Sequence, residues 1–425
     1  MLPYRFELFD SSFHGFYLSS PFFLNSKPED PDFVPPIPVI LDQKGYIAWY
    51  MDVPARLNSD FKYFPEYNRY GFIRIKDTEH ITYMILDSTL RLMDTLVNTA
   101  GVKPDGHELL ILANGNYVIG GVKDSIMDLS ACTFKGVRGS KKTVAVGYVI
   151  QEFDRDHKLV YQWNSNDHLH PCECVPEYEY DSTHFDYCHG NAIESLPDGN
   201  FLVSFRNLDA VHKIDRKSGK VLWRLGGLMS DFSFPDGRPF AGQHDIRQHP
   251  SGNFTLFVNE STTPDPKRTR AVEFALEGDS VRKLWEYIYD PPFYSPRLGS
   301  HQKLEGGARM INYGFNFRPA PSMLLLDASD QIVSRVFFAD SVMSYRSGYY
   351  QIDTPFPRPE IRISTTADGQ DRLEAPEGFG QYVWSSGETS RSIVPQKAGE
   401  YQVWVPYGMG MIGSEAVVVG EKKRD

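Results

Sequence analysis

The chain has 425 residues, enough for one large domain and a small second one. Hydrophobic residues make up 41% and charged residues 23%, which places it among globular proteins and excludes a disordered chain. The net charge of −11, without a basic stripe, argues against a nucleic-acid partner, and no run of eighteen apolar residues offers a membrane span.

The N-terminus, MLPYRFELFD, lacks the charged-then-apolar pattern of a signal peptide, so the protein is either cytoplasmic or has lost a signal. Strand patterning begins with PIPVILDQKGYIAWYM (36–51) and continues with HITYMILDSTLRLMDTL (80–96). HELLILANGNYVIGG (107–121) then shows a form that recurs: a histidine, an apolar strand, an Asn-Gly turn and a second apolar strand. VAVGYVIQEFDRDHKLVYQW (144–163) supplies an outer pair. HLHPCEC (168–174) follows, with ligand types that suit zinc but an alternating spacing that departs from Cys-x-x-Cys; no metal and no cofactor are expected. His168 is a candidate for reaching a substrate site.

FDYCHGNAIESLPDGNFLVSFRN (185–207) repeats the hairpin. Taking Asp198-Gly199 as a two-residue turn sets Ser195 opposite Leu202, Ile193 opposite Ser204 and Asn191 opposite Arg206. Period-two alternation then points His189 and Asn191 to one face, near Arg206. An imidazole, an amide and a guanidinium together suit an anionic group with several oxygens. HDIRQHPSGNFTLFVN (244–259) is the third copy, and SHQKLEGGARMINYG (300–314) a degenerate one, with Ser300 near the histidine position. By alternation Asp245 points away from His244. Each copy is followed by another strand pair, as in AVHKID…VLWRLGG, AVEFALEGDSVRKLWEY and SMLLLDASDQIVSRVFF.

These add up to about six four-stranded units over residues 15–346, with a mean period of about 55 residues, the pattern of a β-propeller. The expected fold is therefore all-β: a six-bladed β-propeller over 1–350. His107, His189 and His244 would open the first strands of units three, four and five and ring one mouth of the channel. The four cysteines permit a disulfide without fixing its pairing. Cys188 adjoins His189, but alternation puts it on the opposite face, against a Cys–His nucleophile. After PFPRPEIRI (355–363), short alternating strands over 356–425 suggest a small immunoglobulin-like β-sandwich. GQYVWSSGETSRSIVPQKAGEYQVWV (380–405) resembles modules appended to secreted bacterial proteins, which favours export to the periplasm or beyond, with the signal removed.

HGNAIESLPDGNFLVSFRNLDAVHKIDRKSGKVLWRLGG (189–227), followed by FAGQHDIRQHPSGNFTLFVN (240–259), resembles the arylsulfotransferases, specifically the aryl-sulfate sulfotransferase propellers. The resemblance covers roughly residues 100–315. It implies transfer of a sulfuryl group from an aryl sulfate ester to a phenol, without a nucleotide donor. It implies that His244 of the QHD segment carries the sulfuryl group, supported by His189, Asn191, Arg206 and His107. Ser300 matches the family's late hydroxyl residue, although GSHQKLEGG departs from the usual turn. The implied partners are an aromatic sulfate donor and a phenolic acceptor, and a homodimer is left open. Two other readings keep the same fold: a diverged enzyme of pericyclase or lyase type, and a binding protein for an aromatic ligand.

Overall fold

The computed structural model describes residues 3–23, 36–51, 56–235, 237, 240–315, 320–339, 342–352 and 356–420. Among these the chain is all-β apart from short 3₁₀ turns. Six antiparallel sheets of four or more strands follow one another. Sheets two to five each use four consecutive long strands. Their innermost strands are Leu57–Phe64, Lys103–Ile111, Gly190–Ser195 and His244–Gln248.

The first and sixth sheets join the two ends of the chain. Val342–Tyr350 forms the inner strand of the first sheet, against Phe16–Phe23. Tyr4–Leu8 adds a fifth, outer strand to the sixth sheet, whose inner strand is Ser300–Lys303. Each inner strand packs beside the next, and Ser300–Lys303 packs back on Val342–Tyr350, so the six close a ring.

Strand alternation builds the core between sheets. On one face of the fourth sheet, Ile193, Phe201, Val203 and Phe205 pack with Val118, Ile150 and Trp163 of the third. On the other, Ala192, Leu202 and Val211 pack with Ile246, Leu256 and Phe274 of the fifth. Both faces are buried, which explains the near-continuous apolar runs of the inner hairpins.

The hairpin turns have three residues, not two. The Gly199 amide donates to Leu196 O at 2.9 Å, and the Leu196 amide to Asn200 O at 2.9 Å. Gly115, Gly199 and Gly252 hold the same left-handed place, with φ of 83°, 83° and 85°. This is a type I turn closed by a glycine bulge. The register moves by one residue from the two-residue expectation: Ser195 pairs Phe201, Glu194 pairs Leu202 and Ile193 pairs Val203.

Bulges also interrupt the first hairpin of every sheet but the sixth, among the described residues. Each re-aims side chains toward the ring axis. Asp245 lies in such a bulge, with φ 59°. The bulge carries it into the axial charged layer, away from the His244 ring as alternation suggests. Its carboxylate pairs with Arg247 at 2.9 Å and Arg346 at 3.3 Å, and accepts from the His301 amide at 3.1 Å.

Along the axis these side chains form a buried charged layer. Glu108 is fully buried and receives Lys62, Arg247 (3.0 Å) and Arg346 (2.9 Å). Asp60 pairs with Lys62 and Arg346, and Glu194 with Arg247. Four carboxyl groups face three cations, so the layer holds one more acid than base. Burial works against the charge on Glu108, but the three cations outweigh it and hold its carboxyl well below the usual range. Burial, with Glu108 and Asp245 nearby and Arg247 opposing, pushes Glu194 up to about 7.

The tail, 356–420, consists of short strands, as its turn signals suggest. Val383–Trp384, Val403–Tyr407 and Gly410–Gly413 continue the first sheet outward through Ile412, which pairs Trp49. Two smaller sheets pack around Leu373, Trp384, Ile393, Tyr401 and Val403. Arg358 ties the tail to the ring through Asp42, at 2.6 Å. No helix among the described residues is long and apolar enough to cross a membrane.

Glu108→Ala leaves the buried Arg346 and the half-buried Lys62 and Arg247 short of an acceptor and is expected to cost about 3–5 kcal/mol in denaturant unfolding. Breaking the exposed Lys103–Asp124 pair costs at most about 1 kcal/mol. Glu194 binds its proton more tightly folded than unfolded, between its ordinary value of 4.5 and about 7. Its contribution to stability is therefore lost as pH rises through that window. Glu194→Gln should flatten the fall in unfolding midpoint between pH 5 and pH 8; an unchanged pH slope would contradict this assignment.

Candidate active site

His244 begins the inner strand of the fifth sheet and is buried, 2% exposed. The residue before it fixes its place. Gln243 donates from Nε2 to Ser204 Oγ, Phe205 O and Ala210 O, at 3.2, 3.2 and 3.0 Å, which pins the QHD segment to the fourth sheet.

The His244 tautomer follows from its partners. Nδ1 lies 2.7 Å from Asn259 Oδ1 and 3.2 Å from Gly242 O, both acceptors. The Asn259 amide cannot be turned over, because its Nδ2 donates to Ser295 O and Leu298 O, at 2.9 Å each. Nδ1 therefore carries the proton, and Nε2 keeps a lone pair. Burial, with Arg206, His189 and His107 adding to it, holds the His244 pKa well below its ordinary value. The ring is neutral at physiological pH.

His107 and His189 lie together with it. Their rings meet edge-on at 5.0 Å, and Tyr345 bridges them to His244, 5.3 Å from His107 and 6.5 Å from His244. Asp105 holds His107 Nδ1 at 2.7 Å, and Asp186 holds His189 Nδ1 at 2.5 Å. Burial disfavours charge on His107, but the Asp105 carboxylate outweighs it and the pKa is raised. His107 therefore takes a proton more readily than an ordinary histidine, while His244 offers a lone pair. The two histidines shift in opposite directions: the Asp105 carboxylate raises His107, whereas burial and the Arg206 guanidinium lower His244.

His189 sits just outside its strand in a left-handed turn, φ 48°, which explains its longer spacing to the turn glycine. Asn191 lies in the following bulge, fully buried. Its Nδ2 donates to Gln243 O at 2.8 Å, so one of its two N–H bonds already braces the His244 segment. Its backbone carbonyl accepts from Tyr345 Oη and from Arg346, both at 2.6 Å. Arg206 caps the hairpin, its amide donating to His189 O at 3.0 Å. The guanidinium lies over the Tyr178 ring at 5.2 Å and within electrostatic reach of His244.

His107, His189, Asn191, Arg206 and His244 thus converge, although Asn191 and Arg206 do not face each other in register. Two candidates stand apart. His168 is exposed and stacks on Trp163 at 5.3 Å, after the outermost strand of the third sheet and beside Gly219 in an outer turn of the fourth. Ser300 is buried, and its hydroxyl is engaged by the Ser347 backbone, donating to the carbonyl at 3.0 Å and accepting from the amide at 3.3 Å. It lines a separate cavity of about 220 Å³ along the axis, with Asp245, Arg346 and Ser347.

The cysteines stay outside the site. Cys132 and Cys172 form a disulfide, and burial pushes the Cys188 thiol up to about 12, which disfavours a thiolate. His170 joins that disulfide in a three-residue cluster, the zinc-like set of HLHPCEC. Both sulfurs are spent on each other, and His170 Nδ1 accepts from the Cys172 amide at 3.2 Å, so the set offers no thiolate to a metal.

Sequence reasoning missed Asp105, Asp186, Asn259 and Tyr345. The first two carry a readable signal, an acid two or three residues before each histidine. Asn259 ends its strand as Arg206 follows its own. Tyr345 is visible only once the ring is closed.

A family model described as Arylsulfotransferase (ASST) matches residues 69–337, more than half of the chain. The chain belongs to that family. The matched region contains His107, Asn191, Arg206, His244 and Asn259, whereas Tyr345 lies beyond it. No curated protein matches the chain. A solved protein of unknown function from Bacteroides caccae is 10% identical, covering 80% of this chain and 99% of its own at a TM-score of 0.50. Virginiamycin B lyase from Staphylococcus aureus is 12% identical, with coverage of 84% and 93% and a TM-score of 0.36. A putative 6-phosphogluconolactonase from Bacteroides fragilis is 10% identical, with coverage of 97% and 100% and a TM-score of 0.40.

Histidine NMR tests the geometry directly. At pH 6.5, the ordinary histidine value, His244 is expected as the neutral Nδ1–H form and His107 as mostly protonated. Asn259→Ala should release the His244 tautomer preference. A His244 signal titrating near 6.5 in the wild type would overturn the assignment.

Proposed function

We propose that this arylsulfotransferase-family chain moves a sulfuryl group from an aryl sulfate ester to a phenol, through a sulfohistidine on Nε2 of His244. The observation that carries this reading is the fixed Nδ1–H tautomer, which leaves a buried nitrogen lone pair on His244 in the same cluster as the carboxylate-held His107.

In the first half, Nε2 of His244 attacks sulfur, the N–S bond forms and the S–O bond to the aryl group breaks. The phenolate leaves with the proton of His107. Arg206 faces the sulfuryl oxygens with charge-assisted hydrogen bonds, and the second N–H of Asn191 is a further donor. In the second half, an acceptor phenol returns its proton to His107 and its oxygen attacks sulfur. The S–N bond breaks and His244 is restored. His189, held by Asp186 against His107, orients that exchange. Splitting the transfer into two steps predicts ping-pong kinetics.

The scaffold in this reading is a six-bladed propeller over 1–350 with a fused, sandwich-like module over 356–425. The closed ring of six inner strands supports it. The Cys132–Cys172 disulfide suits an oxidising compartment, which supports an exported protein.

With p-nitrophenyl sulfate as donor, p-nitrophenol release should be sustained only when a phenol is added, and stop after about one equivalent without it. His244→Ala should lower turnover at least about 10³-fold while remaining folded. Sustained release without acceptor, or an active His244→Ala variant, would refute the sulfohistidine.

A further inference from the structure

Three cations gather at the histidine end of the ring, Arg206 after the second strand of the fourth sheet, Lys267 in the loop between the second and third strands of the fifth and Arg297 where the chain leaves the fifth, each laid on an aromatic ring. Arg206 lies over Tyr178 at 5.2 Å, Lys267 over Tyr294 at 5.2 Å and Arg297 over Phe315 at 5.0 Å. Ser261 joins the first two: its hydroxyl is 3.2 Å from Tyr178 Oη, and its carbonyl accepts from Lys267 Nζ at 2.8 Å. Arg297 belongs to the segment that Asn259 grips at Ser295 and Leu298, so its backbone is anchored to the residue that orients His244. Arg206 and Arg297 both act electrostatically on Tyr294, as do Asp265 and Glu260 from the other side. Glu260 is committed to Arg270 at 2.8 Å.

The contrast with the axial layer is informative. There every cation has a carboxylate within 3.0 Å. Among the described residues, no carboxylate pairs with Arg206, Lys267 or Arg297, in a chain with 55 acidic and 44 basic residues. Aromatic faces support these cations without neutralising them. Arg206 has a use in the proposed chemistry, and it stays occupied while His244 carries the sulfuryl group. Lys267, held by the Ser261 carbonyl, and Arg297 are then the cations without a paired carboxylate that meet the incoming acceptor. The sulfated site is itself anionic and would repel an acidic phenol unless such charges offset it.

Resting on the sulfuryl-transfer reading above, we propose that Lys267 and Arg297 form a second anion subsite that selects phenolic acceptors carrying a carboxylate. The ring of such an acceptor lies between the subsite and His244, with its hydroxyl toward sulfur.

The test compares two acceptors of similar hydroxyl acidity, 4-hydroxyphenylacetate and 4-methylphenol, with p-nitrophenyl sulfate as common donor. The readout is the ratio of their kcat/KM values. The wild type is expected to favour the acid at low ionic strength and to lose that preference in high salt. The double variant Lys267→Ala/Arg297→Ala should lower the ratio by about tenfold. Being a ratio within one protein, it is insensitive to partial loss of folded enzyme. A wild type that disfavours the acid, or a double variant with an unchanged ratio, overturns the subsite while leaving sulfuryl transfer standing. No transfer to either acceptor removes sulfuryl transfer, and the subsite with it.

Discussion

The fold turns on one carboxylate. Glu108, on the inner strand of the third sheet, is reached by Lys62 from the second, Arg247 from the fifth and Arg346 from the first. A lone buried carboxylate would be prohibitive, and it is tolerable only when all its partners arrive together. Glu108 therefore penalises any arrangement in which an inner strand is missing or slipped. Hydrophobic faces between sheets supply the bulk of the stabilisation, but they tolerate sliding. The axial charges specify the register that places the histidines.

The same layer shapes the chemistry next to it. Arg346 in the charged layer puts Tyr345, its neighbour on the strand, between His107 and His244. The bulges that send Asp60 and Asp245 toward the axis also let adjacent residues on one strand serve two levels, one ionic and one imidazole. Inside the imidazole level, two histidines shift in opposite directions, His107 upward beside the Asp105 carboxylate and His244 downward through burial and Arg206. The same cluster thus holds one histidine that favours its proton and one that keeps a lone pair.

Much of this was legible in the sequence. Repeated His-strand-turn-strand units disclosed the all-β repeat architecture and gathered His107, His189 and His244, because a repeat position fixes a place in the ring whatever the details of pairing. What failed was local. Counting outward from Asp198-Gly199 misjudged the register by one residue, since the turn holds three residues. Strict alternation turned Asp245 away from His244, but it could not show the bulge that brings the carboxylate to Arg247 and Arg346. Asn259 and Tyr345 could not be read at all: their roles depend on contacts with segments far along the chain, Ser295 and Asn191 respectively. His168 was drawn in by a ligand-like motif that belongs to an outer edge. The tail's turn signals disclosed strands, but its hydrogen bonding to Ile47–Tyr50 depends on the finished first sheet.

The closure of the first sheet by Val342–Tyr350 sets a timetable for biosynthesis. Sheets two to five consist of neighbouring hairpins and can pair as they leave the ribosome, whereas Phe16–Phe23 waits for a strand made more than three hundred residues later. Until then Glu108 lacks Arg346 and the histidines lack Tyr345. Completion of the histidine cluster thus waits for Val342–Tyr350, and a chain interrupted before that strand lacks both Arg346 and Tyr345.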